Sequence, residues 1–207
     1  MGTAGFTLLE LTMSVVLIVF VSALGFVAVQ TTADSVTTTQ VQTQLQGEAR
    51  SIIISLSREV EPAVQPVLAG EEVLPPNVEG LQVLDGGRTL RFQTPTNALF
   101  TTFSAPITIA YENEDLADAE SGSPIGNAVL DDGEDTNEDG ALTRRLVRRQ
   151  GGATEVLGAG NSVADVRFEL QENGDVLRVT LLLTTPMGNE RDRLIRYQIQ
   201  EDIYLMN

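Results

Sequence analysis

The stretch Gly5-Phe6-Thr7-Leu8-Leu9-Glu10, with the apolar run from Leu11 to Val29 that follows it, decides the fold of this chain. From residue 6 to residue 29 the only charged side chain is that of Glu10. As an α-helix this segment would be about 36 Å long, enough to cross the hydrocarbon core of a bilayer. A carboxylate inside such a helix is unfavourable in lipid and needs a partner, so Glu10 is predicted to be functional.

The residues from Gly5 to Glu10 resemble the class III signal of type IV pilins and of the pseudopilins of type II secretion. The resemblance implies that residues 1–5 are a leader, that prepilin peptidase cuts between Gly5 and Phe6, and that Phe6 is then N-methylated. It also implies that Glu10 neutralises the terminal amine of a neighbouring subunit, an attraction that is strong in a low-dielectric medium. Residues 1–4 carry no Lys or Arg, which leaders of this family normally have. The alternative is an ordinary signal anchor in which Glu10 has no role.

The composition narrows the functional classes. The 207 residues include no cysteine and no histidine, so disulfides, thiol chemistry and the commonest general base are all absent, and no enzymatic activity is predicted. All basic residues are arginine, and the formal net charge is -16. Such a surface repels nucleic acids and anionic headgroups and favours divalent cations or basic partners.

Helical periodicity continues beyond the apolar run. Apolar side chains recur every three or four residues, which predicts an amphipathic continuation over residues 30–61. These positions are Val36, Val41, Leu45, Ala49, Ile52, Leu56 and Val60. We expect one helix that continues to about Glu59 and ends before Pro62. The alternative is two helices, with a break around Thr31–Ser35.

The remainder, residues 75–207, predicts a β-rich globular domain with an antiparallel sheet of five to seven strands packed on the helix. The sequence therefore predicts an α+β fold that is pilin-like. The expected strands are 81–84, 88–92, 106–111, 142–149, 163–170, 176–184 and one closing strand made of 194–199 and 203–205. Tight turns at 85–87 and 172–175 join two pairs of them. Four aromatic residues are expected in the core: Tyr111, Phe168, Tyr197 and Tyr204.

An acidic loop over residues 112–140 is the second candidate site. Asp135, Asn137 and Asp139 followed by Gly140 match the first half of an EF-hand loop, in which alternate oxygens face a calcium ion. Position twelve is Leu146 rather than a bidentate Glu, which excludes an EF-hand proper. The predicted calcium ligands are Asp131, Asp132, Asp135, Asn137 and Asp139. The alternative is a solvated acidic insertion.

Four arginines follow this loop. A strand would place Arg144 and Arg148 on one face and Arg145 and Arg149 on the other. They either pair with the acidic loop or dock to a partner subunit.

The series Tyr111, Arg144–Arg148 and Val163–Phe168, with the ending Ile203–Asn207, is similar to minor pilins and pseudopilins of the J or W type. The resemblance implies a minor pilin or minor pseudopilin that acts in an initiating or tip complex. Its expected partners are other pilin subunits, prepilin peptidase and inner-membrane lipid, with no nucleic acid. The expected location is the bacterial inner membrane, with a single pass and a periplasmic globular domain before assembly into a fibre. The alternative function is a membrane-anchored calcium- or ligand-binding module that does not polymerise.

Overall fold

The computed structural model describes residues 7–65, 78–115, 130, 135, 142–158, 161–172, 174–187 and 190–205. Within these residues the chain forms one α-helix and eight β-strands, all paired antiparallel, so the α+β class is confirmed. The elements are α1 (Leu8–Val60), β1 (Gln82–Leu84), β2 (Thr89–Phe92), β3 (Ile107–Asn113), β4 (Arg144–Gln150), β5 (Ala153–Leu157), β6 (Val163–Leu170), β7 (Val176–Met187) and β8 (Glu190–Tyr204). A single 3₁₀ turn, Asp85–Gly87, joins β1 to β2.

Helix α1 is continuous through the threonine-rich part of the chain. The prediction of one unbroken helix is confirmed, and the alternative with a break around Thr31–Ser35 is wrong. Threonine hydroxyls inside the helix donate to carbonyls one turn earlier, which satisfies these polar groups without opening the helix. The bonds are Thr31 to Val27, Thr37 to Ala33, Thr38 to Asp34 and Thr39 to Ser35, at 2.6–3.0 Å.

The chain divides into two compact units, Met1–Val41 and Gln42–Asn207. In the first unit, the large apolar side chains between Leu8 and Val29 are all at least 53% exposed. This part of α1 is long and apolar enough to span a membrane.

In the second unit, the last turns of α1 bury one face. The buried side chains are Leu45, Ala49, Ile52, Ile53, Leu56 and Val60. Two contacts place this part of α1 next to a five-stranded sheet of order β1-β2-β3-β4-β5. Glu59 on α1 accepts a hydrogen bond from Arg148 on β4 at 2.9 Å, and Ile52 lies against Gly158, just after β5. Side chains from β2, β3 and β4 complete this core: Leu90, Phe92, Ile107, Ile109 and Leu146.

A second sheet of three strands, β6-β7-β8, corrects the prediction of a single sheet. The tight turns at 85–87 and 172–175 each join the strands that they were predicted to join. Strand β5 was not predicted, because four of its five residues are exposed and it lacks the alternation of a half-buried strand. Strand β8 runs through both segments of the predicted closing strand, although it begins earlier, at Glu190, and ends at Tyr204.

The aromatic predictions hold in part. Phe168 is buried, whereas Tyr111 and Tyr197 are half-buried. Tyr204 was expected in the core and is 70% exposed, because its side chain lies at the end of edge strand β8 on the solvent face.

We expect Gly158→Ala to lower the free energy of unfolding by about 1–3 kcal/mol more than Gly152→Ala does, as measured by urea denaturation. Both glycines have left-handed backbones, at φ +96° and +88°, so both variants share the backbone strain. Only at Gly158 would an added Cβ meet a neighbour, lying 2.7 Å from Cγ1 of Ile52, whereas Gly152 faces open space. Equal losses in the two variants would contradict this close packing of α1 after β5.

Candidate functional site

Glu10 lies in the first turn of α1 and forms a capping box with Thr7. The Thr7 backbone N–H and the Thr7 hydroxyl each donate to Glu10 Oε2 at 2.9 Å. In return, the Glu10 backbone N–H donates to Thr7 Oγ1 at 3.3 Å. This reciprocal pattern satisfies amides at the helix N-terminus and holds the carboxylate near the positive end of the helix dipole.

The capping bonds use one oxygen of the Glu10 side chain. Within the described part of the chain, no hydrogen bond engages Oε1 of this exposed residue. Sequence reasoning selected Glu10 but not Thr7, although the Thr-x-x-Glu spacing is a known N-terminal signal and could have identified it. Gly5 and Phe6, the predicted cleavage and methylation residues, lie outside the described residues.

The predicted calcium ligands Asp131, Asp132, Asn137 and Asp139 also lie outside the described residues. Asp135 is described and half-buried. The acidic loop was predicted to begin at residue 112, but residues 112 and 113 belong to strand β3, because they pair with β4.

Where β3 ends and β4 begins, the chain has a buried polar cluster formed by Glu114, Asp115, Thr143, Arg144 and Thr184. The Glu114 N–H donates to the Thr143 carbonyl at 2.8 Å, and the Thr143 N–H donates to Glu114 Oε2 at 3.0 Å. These bonds extend the β3–β4 ladder by one residue pair beyond the strands. They fix the two described ends of the acidic segment against each other.

Arg144 is the centre of the buried polar cluster. Its guanidinium lies 3.4 Å from the Asp115 carboxylate and donates to Thr184 Oγ1 at 2.7 Å and to the Thr184 carbonyl at 3.1 Å. The side chains of Arg144 and Asp115 are only 3% and 1% exposed. Burial lowers the pKa of Arg144 from its ordinary value, and the charge of Asp115 opposes this shift. Since Thr184 belongs to β7, Arg144 joins the two sheets.

The other three arginines of β4 pair within the chain as well. Arg145 and Arg149 share the carboxylate of Glu112, whereas Arg148 pairs with Glu59 on α1. The predicted division of the four arginines between two faces of a strand is confirmed. Arg144, Arg145 and Arg149 pair with carboxylates from residues 112–140, in agreement with the prediction that the arginines pair with the acidic segment. The pairing of Arg148 with Glu59 on α1 was not predicted.

Tyr111 on β3 makes a second link between the sheets. Its hydroxyl lies 3.1 Å from the carbonyl oxygen of Val163 and 2.6 Å from that of Ala164, to which it donates. Arg88 lies 6.0 Å from the ring centroid and forms an ion pair with Asp165 on β6 at 3.2 Å. Burial raises the pKa of Tyr111, and the nearby Asp165 carboxylate adds to the increase.

No protein-family model matches the chain, and neither the curated proteins nor the solved structures give a match. The features that bear on function are therefore the chain's own: the exposed apolar helix, the Thr7–Glu10 capping box and the buried polar cluster.

Arg144→Met is expected to lower the free energy of unfolding by about 3–5 kcal/mol, because Asp115 would remain buried without its counter-ion. The matched control is Arg167→Met, which removes an exposed pair with Glu169 and should cost less than about 1 kcal/mol. Urea denaturation of the two variants measures the difference. A loss for Arg144→Met no larger than that of the control would contradict the structural role of the buried pair.

The raised pKa of Tyr111 predicts a loss of stability in alkali. Because the folded chain favours the neutral phenol, the contribution of Tyr111 to the free energy of unfolding is complete below its ordinary pKa of 10.0. That contribution is lost as the pH rises from 10.0 through the higher pKa of Tyr111 in the folded chain. We expect Tyr111→Phe to be less stable than the parent near neutral pH and to lose less stability above about pH 10. Unfolding free energies on both sides of that pH test this, and parallel pH profiles would contradict it.

Calcium binding by the acidic loop stays a prediction. If the ion binds only the folded chain, calcium should raise the thermal midpoint of unfolding. Asp135→Asn should abolish that rise, whereas Glu172→Gln, a change at an exposed acid of the β6–β7 turn, should preserve it. A midpoint that does not respond to calcium would refute the site.

Proposed function

We propose that this chain is a structural subunit of a type IV pilus or of a type II secretion pseudopilus, as a minor pilin or minor pseudopilin. Prepilin peptidase would cut after Gly5, and the mature chain would begin at methylated Phe6. Before assembly the protein would span the bacterial inner membrane once, with its globular unit in the periplasm. It would then join a fibre, in an initiating or tip complex, through the first part of α1.

The exposed apolar surface of α1 supports this proposal most directly. The large apolar side chains between Leu8 and Val29 are at least 53% exposed around the whole circumference of the helix. Such a surface needs lipid or other apolar helices around it, because leaving it in water costs about 25 cal/mol per Å². Exchange of lipid for neighbouring helices is the step that assembly of such a fibre requires.

The capping box gives Glu10 a defined position for that step. Oε2 accepts from Thr7, and Oε1 is free of hydrogen bonds within the described residues. A terminal ammonium group of a neighbouring subunit could therefore bind Oε1 without disturbing the cap. In a low-dielectric medium this charge pair would set the register between subunits, because an unpaired carboxylate there is strongly disfavoured.

We expect Glu10→Gln to leave membrane insertion unchanged and to reduce incorporation into sheared fibres by about tenfold or more, which corresponds to about 1.4 kcal/mol. Glutamine keeps the side-chain length and an oxygen for the Thr7 cap but removes the charge. The experiment uses the full chain in cells with an active pilus or secretion machine. The matched control is Asp34→Asn, an exposed acid further along the same helix, which should incorporate normally.

The outcome also separates this proposal from the alternative of a membrane-anchored calcium- or ligand-binding module. Such a module would remain in the membrane fraction and would not enter fibres with or without Glu10. Normal incorporation of the Glu10→Gln chain, or the absence of the parent chain from fibres, would contradict the proposed role.

A further inference from the structure

Strand β5 is the outer strand of the five-stranded sheet and has one neighbour, β4, among the described elements. The two strands are joined by a two-residue turn, since Gln150 pairs with Ala153. Both turn residues, Gly151 and Gly152, have left-handed backbones at φ +56° and +88°, as a type I′ turn requires. Such a turn makes Gln150 and Ala153 a hydrogen-bonded pair, in which each residue directs its N–H and C=O to the other strand.

The alternation of an antiparallel ladder then fixes the direction of the other backbone groups of β5. Like Ala153, Glu155 and Leu157 turn their N–H and C=O towards β4. Thr154 and Val156, which lie between them, turn these groups away from the sheet. Within the described part of the chain no hydrogen bond engages these outward groups. The outer edge of β5 therefore presents two donors and two acceptors to an extended chain.

Natural sheets protect their edges against pairing with other chains, and the other described edges of this fold are protected. Strand β1 is only three residues long, and β6 has an irregular register at its start, between Val163 and Asp165. Strand β8 is irregular near Pro186 and carries charged side chains along its length. In contrast, β5 has a regular register with β4 and contains no proline and no basic residue. Among the described strands, β5 is the edge that is open to strand addition.

The side chains at the two outward positions favour the same interpretation. Thr154 and Val156 are both β-branched, and such residues favour an extended backbone when they pack against neighbours on a sheet surface. Both are nevertheless exposed, Val156 at 42%. An added strand would supply the cross-strand neighbours that they lack on the outer side. The preference for extended backbone is therefore greatest at the two positions where an added strand would form its hydrogen bonds.

Glu155 lies between these positions and determines the charge of the added strand. It is exposed and forms no ion pair within the described residues. Its cross-strand neighbour Arg148 already pairs with Glu59 on α1. Antiparallel pairing with β5 of a second copy, centred on this position, would set Glu155 opposite Glu155, which is unfavourable. A strand with Arg or Lys at the facing position is favoured instead.

We propose that β5 is a docking edge for an extended segment of a different protein, which adds to the five-stranded sheet as an antiparallel strand. The segment forms its backbone hydrogen bonds with Thr154 and Val156 and carries a basic residue opposite Glu155. Main-chain pairing supplies the affinity in this mode of recognition, and the side chains supply the specificity. The inference goes beyond the proposed function, because it assigns a binding surface to the second unit that needs neither Glu10 nor the apolar part of α1.

The test uses the full chain in detergent micelles, labelled with ¹⁵N, and follows hydrogen–deuterium exchange of the β5 amides by NMR. The probe is an acetylated and amidated peptide, Ser-Thr-Val-Arg-Val-Thr-Ser, with arginine at its centre. In the free chain the Thr154 and Val156 amides should exchange faster than the Glu155 amide, which donates to β4. Peptide at ten times its Kd should slow the exchange of both outward amides by about tenfold.

Two methylated peptides give a matched control that leaves the protein unchanged. N-methylation of both valines removes the donors that face Thr154 and Val156 and should abolish the protection of these amides. N-methylation of the central arginine, whose N–H points away from β5, should leave the protection in place.

The charge is tested by substitution on β5. Glu155→Gln should weaken binding of the unmethylated peptide by about two- to fivefold, as the loss of an exposed ion pair predicts. The matched control is Glu172→Gln, a change at an exposed acid of the β6–β7 turn, which should leave the Kd unchanged. Equal losses in the two variants would show that the arginine responds only to the net charge of the chain and would contradict the assignment of Glu155.

Several results would overturn the inference. One is exchange of the Thr154 and Val156 amides that does not respond to the peptide, and another is equal protection by the two methylated peptides. Protection of both amides in the free chain would show that the edge is already covered. Protection that increases with protein concentration would identify a second copy as the occupant. None of these results bears on Glu10-dependent incorporation into fibres, which tests the proposed function separately.

Discussion

The apolar surface of α1 between Leu8 and Val29 is the constraint on which the other features depend. One carboxylate interrupts it, and its large side chains are exposed around the whole helix. A soluble monomer could not keep such a surface in water, since it greatly exceeds the apolar patches that monomers expose. The Thr7–Glu10 capping box is the complementary feature, because it holds the one charge of this segment in a defined place at the start of the helix.

The same helix has a different character in the second unit, where only one face is apolar. There Glu59 of the helix forms an ion pair with Arg148 on β4 of the five-stranded sheet. The two sheets are then joined by polar contacts from neighbouring strands: Tyr111 to the β6 backbone and Arg144 to Thr184. Since Arg144 also pairs with Asp115, the junction of the sheets and the base of the acidic segment are one buried structure.

The parts of the fold that could be predicted from the sequence depend on local signals. The absence of proline from residue 7 to residue 61 and the periodic apolar positions predicted α1, and the Asp-Gly-Gly turn predicted the β1–β2 hairpin. Glu10 could be selected because an acid within an apolar run stands out. Its partner Thr7 could have been selected in the same way, because the Thr-x-x-Glu spacing of a capping box is also a local signal.

The missed features depend on contacts distant in sequence. Arg144 and Thr184 are separated by forty positions, and nothing local to either residue indicates that one binds the other. The division into two sheets was missed for the same reason, because strand spacing does not say which strands pair. Strand β5 is formed by pairing with β4 while its own side chains remain exposed, so its pattern contains no burial signal.

The most direct test of the central claim is the N-terminus of the chain recovered from fibres. Intact-mass and N-terminal sequencing measurements are made on the full chain from cells with and without active prepilin peptidase. We expect the fibre-bound chain to begin at methylated Phe6, and the chain from cells without the peptidase to keep residues 1–5 and to stay in the membrane. A chain that enters fibres with Gly5 still attached, or that never enters fibres, would contradict it.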